Sequence, residues 1–341
     1  MASKVNIPKF KMNNGVEIPA LGYGTWLGLN EQNQLDIGDV SKMVLALDYA
    51  IDIGYRHIDT AHLYRVEPEV GEVVNRKIKA GVVKREDLFI TTKVWNHCHR
   101  EADVEKSVRG SLRRLNLDYV DLVLVHWPMS IAEDGTDEKI DYLETWRGFE
   151  TVLKKGLTKS IGVSNFTVPQ LKRLLANCKV PPVCNQVEIN LNFGQSELVD
   201  YCKSQDILMV AYAPFGTLVP SRASESTPEP KMNNPTLLAI GKKYGKTPTQ
   251  IALRYLYERG IISIPKTITK TRVLENASIF DFKLEKSEFE QIAKFDIGYR
   301  TVRNLFFQPY QNFPLDKDDS CNVPMPKDLL VWKNGRNGDI D

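Results

Sequence analysis

Short runs of β-branched and aromatic residues alternate along the chain with longer stretches whose apolar residues recur every three or four positions. The short runs predict eight buried strands, and the longer stretches, such as SKMVLALDYAIDIG, predict amphipathic helices between them. The eight runs are LGYGTW (21–26), HIDT (57–60), LFITTKV (88–94), YVDLVLVHW (119–127), KSIGVSN (159–165), CNQVEIN (184–190), ILMVAYAP (207–214) and IISIPK (261–266).

Turn and cap residues delimit these elements. Asn14 and Gly15 lie in an alternating segment and predict a tight hairpin turn before the first strand. Thr167 and Thr247 are each followed three residues later by Gln, which predicts two capped helix starts. Eight βα units in about 250 residues favour a (β/α)8 TIM barrel over a doubly wound sheet. We therefore predict one α/β domain over 1–341, with a hairpin at 9–19, a barrel at about 21–296, long loops at 127–141 and 215–235 on the C-terminal face, and a C-terminal tail at 297–341.

Composition and charge exclude several classes of protein. With 341 residues, 42% hydrophobic and 26% charged, the chain can bury roughly three quarters of its unfolded surface, which excludes disorder as the main state. The net charge of +2 gives no electrostatic footprint for nucleic acid or an anionic membrane. Five scattered cysteines without a CxxC pair indicate neither a disulfide framework nor a zinc ribbon. We expect a soluble cytoplasmic monomer.

Polar residues stand where the predicted strands end, and in a barrel these ends meet at one face. Asp59, Lys93 and His126 end three successive strands, and Tyr64 follows the first of them. An adjacent ammonium favours a phenolate, so we expect Lys93 to lower the pKa of Tyr64 toward neutrality, while Asp59 keeps Lys93 charged. His126 can donate a hydrogen bond to a substrate oxygen. The four residues together predict protonation of a carbonyl oxygen.

A protonated carbonyl needs a group that attacks its carbon. The sequence has no GxSxG nucleophile elbow, which leaves a hydride donor as the natural partner. No GxGxxG follows a strand, because Gly22, Gly24 and Gly28 have a different spacing. We therefore expect a nicotinamide cofactor that is held without a Rossmann turn.

An alternative hypothesis is that the barrel is a metallohydrolase. His97, Cys98 and His99 follow the third strand and could ligate zinc. A catalytic zinc site needs three converging protein ligands, however, and barrel hydrolases supply several of them from strand ends, where here only His126 qualifies. We predict no metal.

Three longer signatures resemble the aldo-keto reductase superfamily of (β/α)8 barrels, over essentially the whole chain. They are GYRHIDTAHLYRVEPEVG (54–71), KSIGVSNF (159–166) and IPKTITKTRVLENASI (264–279), with TKVW and VHWP between them. The chain also resembles the aldose reductase-like members and the insect 3-dehydroecdysone reductases. The resemblance implies NADPH-dependent reduction of aldehydes and ketones.

The same resemblance implies residue roles. Tyr64 is the general acid, Lys93 and Asp59 tune it, and His126 orients the carbonyl. NADP(H) is preferred over NAD because cationic residues clamp the 2′-phosphate. The cofactor residues implied are Ser164, Asn165 and Gln186 for the carboxamide, Tyr212 for the nicotinamide ring, Lys266, Thr267 and Arg272 for the 2′-phosphate, Glu275 and Asn276 near the adenine, and Gly24, Thr25 and Trp26 at the end of the first strand.

The substrate side is predicted to be apolar, lined by Trp26, Trp95 and Trp127 beside His126. The histidine favours carbonyl over alkene reduction, because steroid 5β-reductases of the superfamily carry Glu there. Only eighteen residues separate Trp127 from Trp146, fewer than in aldose reductase-like members, which predicts a wider cleft. We expect bulky ketones, including steroids, beside aldehydes as substrates.

The resemblance also leaves a non-enzymatic alternative. Some members of the superfamily serve as crystallins or channel subunits, which bind NADPH without useful turnover. The intact set of Asp59, Tyr64, Lys93 and His126 argues against this alternative.

Overall fold

The computed structural model describes residues 4–30, 34–132, 134–318, 320, 323–326 and 329. The chain begins with an antiparallel hairpin of β1 (Lys9–Lys11) and β2 (Glu17–Pro19). Gly15 adopts φ +85° in its turn, a conformation that glycine reaches without steric cost. Met12 and Ile18 pack with residues of the barrel interior, so the hairpin closes the N-terminal end of the barrel.

Eight parallel strands form the barrel, and each pairs with the next along the chain. They are β3 (Gly22–Gly24), β4 (His57–Asp59), β5 (Phe89–Val94), β6 (Leu122–Val125), β7 (Ile161–Ser164), β8 (Cys184–Glu188), β9 (Leu208–Tyr212) and β10 (Ile261–Ser263). Parallel bridges from Leu21 to Ser263 and from Gly24 to Lys266 join the first strand to the last. The predicted (β/α)8 barrel is confirmed.

The helices of the described residues pack around this barrel. They are α1 (Val40–Ile53), α2 (Glu67–Lys79), α3 (Glu101–Leu115), α4 (Tyr142–Lys154), α5 (Val168–Leu175), α6 (Ser196–Ser204), α7 (Pro235–Tyr244), α8 (Pro248–Glu258), α9 (Lys270–Ala277) and α10 (Lys286–Ala293). The predicted capping boxes are confirmed, because Thr167 and Gln170 cap α5 and Thr247 and Gln250 cap α8 reciprocally. None of these helices has the length and apolarity that crossing a membrane requires.

The observed strands are shorter than the predicted runs. The run 119–127, for example, contributes only β6, so His126 and Trp127 lie beyond the last ladder residue. In a barrel of parallel strands the residues past the last ladder position lie at the C-terminal face. The chemistry therefore falls on strand ends and the loops that follow them.

The described part of the C-terminal tail returns across this face. A short 3₁₀ turn at Leu305–Phe307 places Phe307 against Trp95 and Trp127, with ring centroids 6.0 and 5.6 Å apart. Trp95 Nε1 donates to the carbonyl of Leu329 at 3.2 Å. The tail is thus packed directly over two of the predicted pocket tryptophans.

Candidate active site

Three of the four predicted catalytic side chains form one hydrogen-bonded group. Asp59 ends β4, Lys93 lies on the neighbouring β5, and Tyr64 follows β4 in a 3₁₀ turn. Lys93 Nζ lies 2.5 Å from Asp59 Oδ1 and 3.2 Å from the Tyr64 hydroxyl, and it also donates to the carbonyl of Thr60. The Lys93 side chain is 0% exposed, so this ion pair lies wholly inside the protein.

His126 is the fourth member of this group. Its ring meets the Tyr64 ring edge-on at 5.7 Å and the Trp95 ring at 5.0 Å. Burial and the nearby Lys93 ammonium hold the pKa of His126 well below its usual range. The imidazole is therefore neutral at pH 7 and carries one ring N–H that can donate to a ligand.

The expectation that Lys93 lowers the pKa of Tyr64 toward neutrality is wrong for this structure. Burial raises the pKa of Tyr64 well above 10, and the Asp59 carboxylate raises it further. Burial lowers the pKa of Lys93, and Asp59 opposes that shift. Tyr64 is therefore a neutral phenol at pH 7, a form that can give a proton but is not poised as a phenolate.

The residues predicted to bind the carboxamide lie beside this group and are joined to it. Gln186 Nε2 donates to Asp59 Oδ2 at 2.8 Å, and the Ser164 hydroxyl donates to the Gln186 carbonyl at 2.7 Å. Asn165 donates to Ser164 Oγ and accepts from the Tyr212 hydroxyl at 2.8 Å. Ends of β7, β8 and β9 thus meet at one polar patch next to the acid and the ammonium.

Asn165 of this patch and Ala213, which follows Tyr212, have strained backbones. Asn165 has φ +64° and Ala213 φ +47°, in the left-handed region that side chains other than glycine seldom adopt. Such residues cost of order 1–3 kcal/mol each and cluster at functional sites. The strain lies where β7 and β9 end and the chain turns across the barrel mouth.

The residues predicted to hold the adenosine end lie after β10. Lys266 and Arg272 are exposed, and neither forms an ion pair with a described residue. Thr267 is buried, and the Tyr23 hydroxyl donates to its carbonyl at 2.6 Å. Glu275 accepts from Thr247 and Thr249, so its carboxylate is already engaged inside the protein. Asn276 is buried beside it on α9.

Comparison with known proteins decides the family. The family model described as the aldo/keto reductase family matches residues 20–297. This chain belongs to the aldo/keto reductase family. The family predicted from the sequence motifs is confirmed, and with it an oxidoreductase that acts on carbonyl groups.

Several proteins similar to this aldo/keto reductase are known from their structures or sequences. The crystal structure of AKR2E5 of the silkworm Bombyx mori is 65% identical, with 97% of this chain and 100% of that chain covered and a TM-score of 0.93; its complex with NADPH gives 0.94. AKR2E4 of Bombyx mori is 41% identical over 91% of this chain and 99% of its own. The 3-alpha-hydroxysteroid dehydrogenase of Rattus norvegicus is 37% identical over 89% of this chain and 96% of its own.

The three predicted pocket tryptophans occupy different places in this aldo/keto reductase. Trp26 is half-buried and lies 5.0 Å from the Tyr64 ring. Trp95 is 2% exposed and Trp127 4% exposed, and both pack in one cluster with residues of the tail. Trp26 is thus the most exposed of the three tryptophans, whereas Trp95 and Trp127 are covered by the tail.

Two residues predicted as cofactor contacts also close the barrel. A Cβ on Gly24 would lie 2.6 Å from the carbonyl oxygen of Ile264, so only glycine fits between β3 and the segment after β10. Thr25 is buried, and its hydroxyl and its amide both donate to the Asp59 carbonyl. Both residues thus fix the strand end from which Asp59 projects.

Two residues of the HCH segment, Cys98 and His99, are buried, and His97 is half-buried. His99 is fully buried, and burial lowers its pKa to about 3. His97 lies 5.6 Å from the His62 ring. Among the residues that the structure describes, no group of three His, Cys, Asp or Glu side chains is arranged to hold a metal ion.

Sequence reasoning missed a buried charge network behind Lys93. Glu67 lies at the start of α2, forms a 2.7 Å ion pair with Arg114 on α3 and accepts from the Thr92 hydroxyl. Arg114 also contacts His62 Nδ1 at 2.6 Å. The sequence signal that could have indicated it is Glu67, the first residue of EPEVG (67–71), which follows Asp59 and Tyr64 in the same motif. This network anchors the turn that carries Tyr64 to α3.

A cleft of about 430 Å³ lies beside the ends of β7 and β8 and borders the polar patch at Asn165. Its lining includes Asn165 and Thr167, the start of α6, and Arg300 in the tail, but none of the four predicted catalytic residues. The position of this cleft therefore does not define the active site.

Proposed function

We propose that this protein reduces aldehydes and ketones to alcohols with NADPH. The observation that carries the proposal is the placement of Lys93 Nζ between Asp59 and the Tyr64 hydroxyl, with neutral His126 against the Tyr64 ring. Membership of the aldo/keto reductase family and the NADPH complex of AKR2E5 support it. The cofactor of this chain is accordingly NADP(H).

Each member of the buried group has a distinct role in this proposal. Tyr64 gives its hydroxyl proton to the carbonyl oxygen, and the Lys93 ammonium stabilises the negative charge left on the phenol oxygen. Asp59 balances the Lys93 charge inside the protein. His126, held neutral, donates a hydrogen bond that orients the carbonyl toward Tyr64.

NADPH, when bound, supplies the hydride that reduces the carbonyl carbon. The residues on this face suit it chemically. The amide and hydroxyl side chains of Ser164, Asn165 and Gln186 match a carboxamide, and the half-buried Tyr212 offers a ring face. Asn165 Oδ1 accepts from the Tyr212 hydroxyl and, because an amide oxygen has two lone pairs, can also accept from a carboxamide N–H.

The adenosine end is held by charge in this proposal. Lys266 and Arg272 are exposed cations without an ion pair to a described residue, which leaves both free to bind a 2′-phosphate. Asn276 can donate to the adenine. This clamp favours NADP(H) over NAD(H).

We further propose that the pocket accepts bulky ketones, including 3-dehydroecdysone-like steroids, in addition to aldehydes. The short segment between Trp127 and Trp146 and the similarity to a hydroxysteroid dehydrogenase support this wider range. The free thiols of Cys98, Cys178, Cys184 and Cys202 suit a cytoplasmic enzyme. We propose that it acts as a monomer, which gel filtration at micromolar concentration tests.

The test is NADPH oxidation followed at its nicotinamide absorbance with propanal, an aromatic ketone and a 3-ketosteroid, repeated with NADH. We expect carbonyl-dependent oxidation with NADPH preferred. NADPH binding without consumption of any carbonyl would contradict the proposal and favour the crystallin-like or channel-subunit-like alternative.

A further inference from the structure

Glu188 is a buried carboxylate that the proposed reaction does not use. It ends β8 two residues after Gln186, so both side chains project to the same side of the strand. It is 0% exposed and forms no ion pair with a described residue. An unpaired buried carboxylate is costly unless hydrogen bonds compensate it. Its partners therefore show what it holds in place.

Those partners lie mainly in the C-terminal tail. Glu188 Oε1 accepts from the Thr301 amide at 2.8 Å and from the Thr301 hydroxyl at 2.5 Å, and Oε2 accepts from the Val302 amide at 2.9 Å. Asn190 Nδ2 completes the set at 3.0 Å. Hydrogen bonds to a charged acceptor are about twice as strong as neutral ones. Three of the four fix two successive tail residues to the end of β8.

A second attachment lies immediately before this one. The carbonyl of Asn192, just after β8, accepts from the amides of Ile297 and Tyr299. The chain from α10 is therefore tied to the end of β8 over residues 297–302. Glu188 is the last of these ties before the tail crosses the barrel mouth.

Beyond Val302 the tail reaches the catalytic end. Phe307 packs on Trp127 and Trp95, and the Trp95 ring meets His126 edge-on at 5.0 Å. The placement of Phe307 depends on where the tail leaves β8, because only four residues separate it from Val302. A shift at Glu188 is thereby passed to the ring that covers the two tryptophans.

We propose that Glu188 is a positioning residue that fixes the tail over the catalytic end and thereby sets how bulky carbonyl substrates bind. This inference rests on the proposed carbonyl reduction for its effect on substrates. The attachment of the tail to Glu188 does not depend on turnover. The attachment and its effect on substrate binding are therefore measured in separate experiments.

The first measurement is amide hydrogen exchange of the tail in the full-length protein. Glu188→Gln preserves the shape of the side chain, but its NH₂ group must face a backbone N–H that then has no acceptor. We expect exchange of peptides that contain Thr301 and Val302 to be at least tenfold faster. Thr301→Val, which removes only the hydroxyl donor, should change exchange in the same direction and by less.

The second measurement is steady-state kinetics with two substrates. A 3-ketosteroid is long enough to reach from the catalytic group to the tail and propanal is not, so we expect Glu188→Gln to raise the KM of the steroid about tenfold. The KM and kcat for propanal and the Kd for NADPH should stay within twofold. Glu290→Gln, on the exposed face of α10, is the matched control and should change neither exchange nor kinetics.

Three outcomes would overturn the inference. Unchanged exchange at Thr301 and Val302 in Glu188→Gln would show that the carboxylate does not hold the tail. Faster exchange with equal increases in KM for propanal and the steroid would remove its role in specificity. Wild-type protein that reduces no carbonyl would overturn the proposed function and the specificity role together, and the exchange result would still decide whether Glu188 holds the tail.

Discussion

The two ends of the proposed cofactor site are built in opposite ways. At the catalytic end the charges are buried and paired inside the protein, as in Lys93 and Asp59, whose side chains are 0% and 2% exposed. At the adenosine end, Lys266 and Arg272 are exposed and have no ion pair with a described residue. At the catalytic end the Asp59 carboxylate balances the charge of Lys93 within the protein. At the adenosine end we propose that the cofactor phosphate balances the charges of Lys266 and Arg272.

This difference follows from where the residues stand. Asp59 and Lys93 lie on adjacent paired strands of a closed barrel, and Tyr64 and His126 follow strand ends of the same barrel, so paired backbones restrict where these side chains lie. The two cations, Lys266 and Arg272, lie on a loop after β10 and at the start of α9, and both side chains are exposed. We therefore expect substitutions at the first end to change turnover or stability, and substitutions at the second to change cofactor affinity.

The largest effect is expected from Tyr64→Phe, which removes only the hydroxyl that gives the proton. General acid catalysis contributes about 10²- to 10⁴-fold, so kcat should fall about 10³-fold while the Kd for NADPH stays within twofold. Steady-state kinetics and quenching of protein fluorescence measure the two quantities. Tyr299→Phe, at an exposed position in the tail, is the control and should leave both unchanged. Unchanged turnover in Tyr64→Phe would rule out this proton donor.

A large effect on stability is expected from Asp59→Asn. The substitution leaves the buried Lys93 ammonium without its carboxylate, and breaking a buried ion pair in this way costs about 3–5 kcal/mol of unfolding free energy. Urea denaturation measures the loss. Glu72→Gln, which breaks an exposed pair with Arg76, should cost less than about 1 kcal/mol. Equal losses for both variants would mean that the Asp59 pair contributes no more than a surface pair.

A smaller effect, confined to affinity, is expected from Arg272→Ala. Hydrogen bonds to a charged group contribute about 1.5–3 kcal/mol, so the Kd for NADPH should rise about 10- to 100-fold. NADH lacks the 2′-phosphate, so its Kd should stay within twofold, as should kcat at saturating NADPH. Lys286→Ala, an exposed cation on α10, is the control. Equal losses for NADPH and NADH would place the phosphate elsewhere.

The smallest change is expected from pH. The pKa of His126 lies well below 6.5 and that of Tyr64 well above 10, so neither group changes its charge between pH 6 and 8. The kcat/KM for carbonyl reduction should be flat over this range and should fall only at alkaline pH, as Tyr64 loses its proton. An inflection near pH 6.5 that is absent in His126→Gln would show that the imidazole titrates in the free enzyme.

The catalytic end could be predicted from the sequence because its residues close short strands. Asp59, Lys93 and His126 each follow a run of buried residues, and parallel strands in a barrel must bring such ends together. The direction of the Tyr64 pKa could not be predicted. It depends on the burial of the phenol in the folded protein and on the nearby Asp59 carboxylate, both of which raise the pKa.

Contacts between residues far apart in the chain could not be predicted from the sequence either. Glu188 is the acid at the end of a strand that also carries Asn185 and Gln186, but its partners, Thr301 and Val302, lie more than a hundred residues away in an irregular segment. Gly24 stood out as part of a glycine-rich strand end, yet its fit against Ile264 depends on barrel closure. Such features follow from tertiary contacts that carry no local pattern.

The most direct test of the division between the two ends is one paired measurement. The Kd for NADPH and kcat at saturating NADPH are determined side by side for wild-type protein, Tyr64→Phe and Arg272→Ala. The account predicts that Tyr64→Phe loses kcat and keeps Kd, and that Arg272→Ala loses affinity and keeps kcat. Loss of both quantities in either variant would contradict the separation of chemistry from cofactor binding.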